Sequence, residues 1–321
     1  MNILLTGCCG FIGYSIAQNL LKQKNIYLFG VDNINNYYSK HLKKKRLELL
    51  QNNKNFIFIQ TDINNKKKIL KKISSQKIDY FLHFAAQAGV RYAVKNPKSY
   101  IHSNVNGFKS IISIVKKIEP KSFIFASSSS VYGDAKKYPV TENDKMKPKN
   151  LYAKTKKFNE IYAFNELKKT KIKIIGLRLF TIYGEWGRPD MLIFKFLDYA
   201  KKKKIFELNN NGEMFRDFTY IKPAVKIIQR LIFFNHKKNF NIFNICSSQP
   251  IKVSSVIKKL ATISKFSKIK KVPMNKLEVF KTYGSNKKVI KYLNIKNKNF
   301  LNFNLGLKQT ANWFKKFHHL I

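Results

Sequence analysis

The sequence predicts an α/β fold, a doubly wound parallel sheet followed by a smaller C-terminal lobe. Three observations predict it. Short apolar runs alternate with helical patterns through the first half, three glycines follow the first run and open the first helix, and an aspartate closes the second run. Short runs that are apolar throughout suit strands covered on both faces.

The elements follow in order. "NILLT" (2–6) reads as a buried strand and residues 11–22 as the helix after it. "IYLFGVD" (26–32) and "NFIFIQTD" (55–62) are the second and third strands. "DYFLHFAA" (79–86) is the fourth and "KSFIFASSSS" (121–130) the fifth. One long helix is expected over 97–117 and another over 152–168, before the strand "KIIGLRLF" (173–180). Residues 185–235 and 265–300 read as irregular and rich in lysine and asparagine, with one more strand in "FNIFNICS" (240–247). The expected division is a sheet domain over 1–184, to which strand 240–247 returns, and a lobe over 185–321.

A chain of 321 residues can bury a sizeable core, but its net charge of +46 is unusual. Such a charge suits a polyanion partner. The kind of basic residue argues otherwise: of 63 basic residues six are arginine, leaving 57 lysines spread along the whole chain. Nucleic-acid readers use arginine for base contacts and gather charge on one face, so no specific nucleic-acid partner is expected. The lysine runs at 43–45, 66–68 and 201–204 are expected to be solvated helix faces. Three cysteines form no disulfide framework, and no run of 18 apolar residues predicts a membrane span. With the first strand starting at Asn2 there is no room for a signal peptide, and the cytoplasm is the expected location.

"LLTGCCGFIG" (4–13) carries the first motif. Gly7, Gly10 and Gly13 follow a strand and open a helix, where a tight turn and close backbone approach accommodate a pyrophosphate. Phe11 and Ile12 share that turn, and the free amides of the helix start face the phosphates. Asp32, with Asn33 beside it, ends the second strand, where a carboxylate binds ribose hydroxyls and disfavours a 2′-phosphate. The cofactor predicted is therefore NAD, in a Rossmann-type domain, with Asp62 placed for the adenine. Cys8 and Cys9 fill the variable positions of the loop. They lack the spacing of a metal or redox pair, so no metal is expected, although a thiol at a helix start is prone to a lowered pKa.

The second motif is Tyr152 with Lys156, one turn apart on a helix. A phenol near pKa 10 is a weak base at neutral pH. A lysine one turn away and a positive nicotinamide ring would stabilise the phenolate. The serine run Ser127 to Ser130 stands after the fifth strand, at the carboxyl end of the sheet where ligands bind, and Ser128 could hydrogen-bond a reacting hydroxyl.

"TGCCGFIG", "SSSSVYG" and "YAKTK" resemble the extended short-chain dehydrogenase/reductases. "GVDNINNYYSKHLKKKRLELL" (30–50), "HFAAQAGVRYAVKNPKSYIHSNVNG" (83–107), "GLRLFTIYGEWGRPDM" (176–191) and "RDFTYI" (216–221) closely resemble the UDP-glucuronate 4-epimerases. That resemblance implies Tyr152 as catalytic base with Lys156 and Ser128 as its partners. It implies a cofactor site of Gly7, Gly10, Gly13, Asp32, Asp62 and Ile63, walled by Phe84, Ala85, Ala86 and Asn104. It implies that Arg216 meets the UDP phosphates. The arginines agree: in a lysine-rich chain, Arg91, Arg178, Arg188 and Arg216 all fall inside these motifs, where a planar fork binds phosphate or carboxylate as an ammonium cannot. Arg178 has an equal alternative as a structural ion-pair partner. Arg91, Ser127, Ser128, Ser129, Thr181, Arg188 and Arg216 are the expected substrate contacts.

The activity implied is inversion of C4 of a UDP-hexuronate by transient hydride transfer, in a homodimer. A 4-keto uronate is a β-keto acid and loses CO₂ readily, so the carboxylate must be held out of alignment, and the Ser127–Ser130 run with Arg188 is the candidate clamp. A UDP-hexose 4-epimerase, a UDP-glucuronate decarboxylase or a noncatalytic polyanion-binding protein remain as alternatives. The chain departs from the pattern at Lys222 and Pro223, at Cys246 in a usual glycine place, and at 275–287, where Glu278 is the nearest acidic match.

Overall fold

Consecutive residues of the first strand serve opposite faces of one sheet, and both faces are apolar: Ile3 and Leu5 join one core, Leu4 the other. The computed structural model describes residues 1–296 and 302–321. β1 (Asn2–Thr6) leads into α1 (Phe11–Leu20), β2 (Tyr27–Asp32), α2 (Lys40–Gln51), β3 (Phe56–Gln60), α3 (Lys66–Lys72) and β4 (Tyr80–His83). Two single turns, α4 (Tyr92–Lys95) and α5 (Pro97–Tyr100), precede α6 (Gly107–Ile118), β5 (Ser122–Ser128), α7 (Leu151–Leu167) and β6 (Lys173–Leu179). β7 (Thr181–Tyr183), α8 (Leu192–Lys201), β8 (Phe206–Asn209), β9 (Phe215–Tyr220), α9 (Ile221–Phe233) and β10 (Phe240–Ile245) follow. β11 (Pro250–Lys252), α10 (Val253–Ser264), β12 (Ile269–Val272), α11 (Lys287–Leu293) and α12 (Phe303–Phe317) close the described chain.

Seven strands form one parallel sheet in the order β10-β6-β5-β4-β1-β2-β3. The order reverses at β1, so the chain leaves the carboxyl ends of β1 and β4 in opposite directions and opens a crevice there. β10 sits at the sheet edge beside β6, and α9 packs against α1. Two small sheets, β11-β9-β7 and β12-β8, stand beside the main one.

Three expectations are corrected. The helix over 97–117 is divided: α5 and α6 are separated by a π-helical stretch, Ile101–Asn106, whose wider turn positions the buried Asn104. Residues 185–235 are not irregular, since α8, β8, β9 and α9 occupy most of them. Lysines on the solvent side masked the pattern: α8 buries Ile193, Phe194, Phe196 and Leu197, and α9 buries Ala224, Val225, Ile228, Leu231 and Ile232. Within 265–300, β12 and α11 are regular, and 297–300 lie outside the described residues. Lys43 is not solvated: it is buried, and its Nζ donates to the Asn35 carbonyl at 2.7 Å and to Asn35 Oδ1 at 2.6 Å.

Candidate active site

The loop after β1 is as tight as its glycines require. Gly7 has φ +79°, and a Cβ there would stand 2.6 Å from the Ala85 nitrogen. The Gly10 amide donates to the Gly7 carbonyl at 2.9 Å, and a Cβ on Gly13 would lie 2.1 Å from that same oxygen. No side chain fits at either place, so backbone alone faces the crevice. The first-turn amides of α1 have no acceptor within the helix and are open to an anion.

Asp32 ends β2 with Oδ2 accepting the Cys9 amide at 3.0 Å and Oδ1 accepting the Ile34 amide at 2.8 Å. Burial raises its pKa, while the two amides, Lys43 and Arg46 act against that rise. Burial lowers Lys43 to about 8. Asn33 donates to Asp62 Oδ2 at 2.9 Å. Burial of Asp62 is outweighed by hydrogen bonds from Asn64 and Asn33, and its carboxyl sits below the ordinary value. Phe11, Ile12, Ile63, Phe84, Ala85 and Ala86 line the same cleft. The cradle, the exposed amides and the ribose-directed acid fit a dinucleotide.

Asn104 does not line the cleft. Its Oδ1 accepts the Gln87 amide at 2.8 Å and its Nδ2 donates to the Gln87 carbonyl at 2.9 Å and to Thr155 Oγ1 at 3.1 Å, which braces the loop after β4 against α7. The expectation of a lowered thiol pKa is corrected for Cys8, which burial pushes well above the ordinary value. Cys8, Cys9 and Asp32 do offer ligand atoms within 4.8 Å of one another. Asp32, however, is already held by two backbone amides, and the three cysteines are buried.

At the other end of the cleft α7 presents Tyr152 and Lys156. Asn150 caps this helix, accepting the Ala153 amide at 2.9 Å. The Lys156 ammonium lies 5.9 Å from the centre of the Tyr152 ring and donates to the Ala126 carbonyl at 2.7 Å. Burial lowers Lys156 to about 8, against the pull of Glu160. Burial also raises the Tyr152 phenol, while Arg188 and the Ser128 hydroxyl act to lower it. One turn beyond Lys156, Glu160 takes Arg178 in a buried ion pair, Nε at 3.0 Å and Nη2 at 2.8 Å. Arg178 is thus spent on structure. Ser127 lines the cleft, but its hydroxyl donates to Glu160 Oε1 at 2.5 Å.

The remaining substrate candidates divide. Ser128 and Arg188 line the cleft beside Tyr152. Burial works against the Arg188 charge, but Asp190 more than offsets this and holds its pKa above the ordinary value. Ser129 and Thr181 lie outside the lining. Arg91 and Arg216 also lie outside it, converging on one carboxylate: Glu278 accepts Arg91 at 2.6 Å and Arg216 at 3.4 Å.

Sequence reasoning missed Tyr37, Tyr38, Gln87 and Ser103, which line the cleft. Tyr37 donates to Asp190 Oδ2 at 2.9 Å, and the Arg188 guanidinium lies 5.7 Å from its ring centre. The signal was available in the paired tyrosines of "NINNYYSK", polar-aromatic residues in a loop directly after a cofactor-facing strand.

The NAD dependent epimerase/dehydratase family pattern matches residues 3–246. An uncharacterized protein of Methanocaldococcus jannaschii is 41% identical over 318 residues, 98% of this chain and 96% of that protein. UDP-glucuronate 4-epimerase 3 of Arabidopsis thaliana is 35% identical, over 99% of this chain and 77% of its own length. Among solved structures, the UDP-glucuronic acid 4-epimerase of Bacillus cereus in complex with UDP-glucuronic acid and NAD superimposes with a TM-score of 0.89. It is 29% identical and covers 98% of this chain and 99% of its own. A family pattern matched over three quarters of the chain and a relative 41% identical over 98% of it leave one conclusion: the chain belongs to the NAD dependent epimerase/dehydratase family.

Proposed function

We propose that the chain is an NAD-dependent UDP-glucuronate 4-epimerase, converting UDP-glucuronate to UDP-galacturonate. The observation that carries the reading is the convergence of Tyr152, Ser128 and Arg188 on one cleft that begins at the glycine loop. When bound, NAD supplies a reversible hydride acceptor for C4, so the reaction has no net redox change. Tyr152 takes the proton of the 4-hydroxyl as that carbon is oxidised and gives it back when the other face is reduced. Lys156, one turn away, favours the phenolate electrostatically. Ser128 hydrogen-bonds the same hydroxyl. Arg188 binds the C5 carboxylate and keeps its bond to the ring out of line with the 4-keto π system, which suppresses loss of CO₂.

Relatives support the substrate class, since those of Arabidopsis and B. cereus carry this activity in their names and the latter holds UDP-glucuronic acid and NAD. Arg216 and Arg91 are the groups available for the diphosphate, Glu278 standing as their present counter-charge. Two further readings complete the proposal. The exposed Ile161 and Phe164 on α7 support a homodimer formed through a helix pair, and three free, buried cysteines support a reducing compartment such as the cytoplasm. No helix of the described residues is long and apolar enough to cross a membrane.

The test is turnover of UDP-glucuronate with products resolved by anion exchange or NMR. UDP-galacturonate is expected. UDP-xylose would make the chain a decarboxylase, and turnover of UDP-glucose alone would remove the uronate assignment.

A further inference from the structure

Arg46 has no part in the chemistry above, yet it is wholly buried, and among the described residues no carboxylate ion-pairs with it. The Asp32 carboxylate is near enough for Arg46 to help keep it charged, but it accepts no hydrogen bond from the guanidinium, and a buried cation is costly unless its donors are satisfied. Four oxygens from three separate segments satisfy it. Nη1 donates to the Cys9 carbonyl at 2.9 Å and the Tyr38 hydroxyl at 2.8 Å. Nη2 donates to the carbonyls of Trp186 at 2.5 Å and Gly187 at 3.2 Å. Only Nε is left without a partner.

The acceptors are telling. Cys9 sits in the glycine loop, and its own amide already donates to Asp32, so Arg46 fixes this loop residue from the other side. Trp186 and Gly187 belong to the turn that delivers Arg188 to the cleft. Trp186 has φ +60°, which an aromatic side chain rarely adopts. What holds it there is the Arg46 hydrogen bond and the packing of its ring against Tyr14 at 5.3 Å and Trp313 at 5.0 Å. A lysine, with its donors on one atom, cannot span these segments as the planar fork does.

We propose that Arg46 is a positioning residue that holds the dinucleotide loop and the Arg188 turn as one unit, so that cofactor binding and capture of the substrate's anionic sugar strengthen each other. By linkage the effect is reciprocal. The cofactor half stands on the loop geometry alone; the sugar half rests on the UDP-glucuronate reading.

Hydrogen exchange on the full, unmodified chain tests the first half. Adding NAD alone is expected to slow exchange across residues 184–191 by about fivefold or more. In Arg46→Lys that response disappears, NAD binding weakens about tenfold, and KM for UDP-glucuronate rises about tenfold while KM for UDP-glucose moves less than twofold. A purely structural arginine would lower the melting temperature and leave the exchange response and the KM ratio intact. The proposal is overturned if NAD leaves exchange at 184–191 unchanged in the unmodified chain, or if a folded Arg46→Lys chain keeps its NAD affinity. Should Arg46→Lys not fold, the unmodified chain's exchange response decides. Should neither sugar nucleotide turn over, the exchange and NAD titrations still judge Arg46, and only the substrate reading falls.

Discussion

Arg188 and Asp190 form a bidentate ion pair, Nε to Oδ1 at 2.9 Å and Nη2 to Oδ2 at 2.5 Å. Tyr37 donates to the same carboxylate at 2.9 Å, so the guanidinium is aimed before any ligand arrives. Asp190→Asn keeps the shape but removes the charge that holds the fork. Charge-assisted hydrogen bonds of this kind contribute about 1.5–3 kcal/mol. KM for UDP-glucuronate is expected to rise by about tenfold or more, while the Kd of UDP, which has no carboxylate, stays within about twofold. Steady-state kinetics beside a UDP titration checks this, and equal losses for both ligands would count against the anchoring role.

The glycine spacing and Asp32 made the sheet and the cofactor end of the cleft legible, because backbone approach to a pyrophosphate tolerates so few residue types at those positions. The sugar end was harder to read. Ser127 was singled out with its neighbours, but only the fold shows that its hydroxyl is taken by Glu160. Tyr37 and Asp190 lie 153 residues apart, and no local pattern announces that they share a hydrogen bond. Charged and polar residues interleaved with the apolar ones on α8 and α9 hid faces that become evident once burial is known.

Tyr152→Phe removes one oxygen and little else. Its ring packs edge-on against Tyr100, with centroids 6.3 Å apart, and phenylalanine preserves that contact. A general base contributes about 10²–10⁴-fold, so kcat should fall by about 10³-fold with NAD affinity unchanged. A variant that epimerises at the full rate would remove Tyr152 from the mechanism.

Lys156 makes the site sensitive to alkaline pH. Burial lowers it to about 8 from an ordinary value of 10.5. Between those values the unfolded chain binds a proton that the folded chain has released, so this group's contribution to stability rises with pH. Below pH 8 both states are charged, and the buried charge destabilises the fold by about 3 kcal/mol. Lys156→Met is therefore expected to be more stable than the parent at pH 7 and to lose that advantage as pH rises from 8 to 10.5. Its kcat should fall at the same time, because the phenolate loses its cation. Denaturant unfolding at pH 7 and pH 9.5 measures the first effect, and an advantage that grows with pH would contradict the lowered pKa.

Glu160 anchors a buried ion pair one turn beyond Lys156. It accepts two bonds from Arg178 and one from Ser127, all three side chains being buried. In Glu160→Gln the Arg178 guanidinium keeps the Tyr132 hydroxyl at 2.9 Å and the Glu142 carbonyl at 3.2 Å but has no counter-charge. Removing one partner of a buried pair costs about 3–5 kcal/mol, more than replacing both with apolar groups. Urea unfolding should therefore show a loss of about 3 kcal/mol for Glu160→Gln and a smaller one for the double change Glu160→Leu with Arg178→Met, at unchanged m-value. Equal losses would mean that packing around α7, and not the isolated charge, sets the cost. The glutamine amide oxygen can still accept the Ser127 hydroxyl, whereas leucine leaves it without its acceptor, so a rise in CO₂ loss confined to the double change would tie that hydroxyl's orientation to the side chain at position 160.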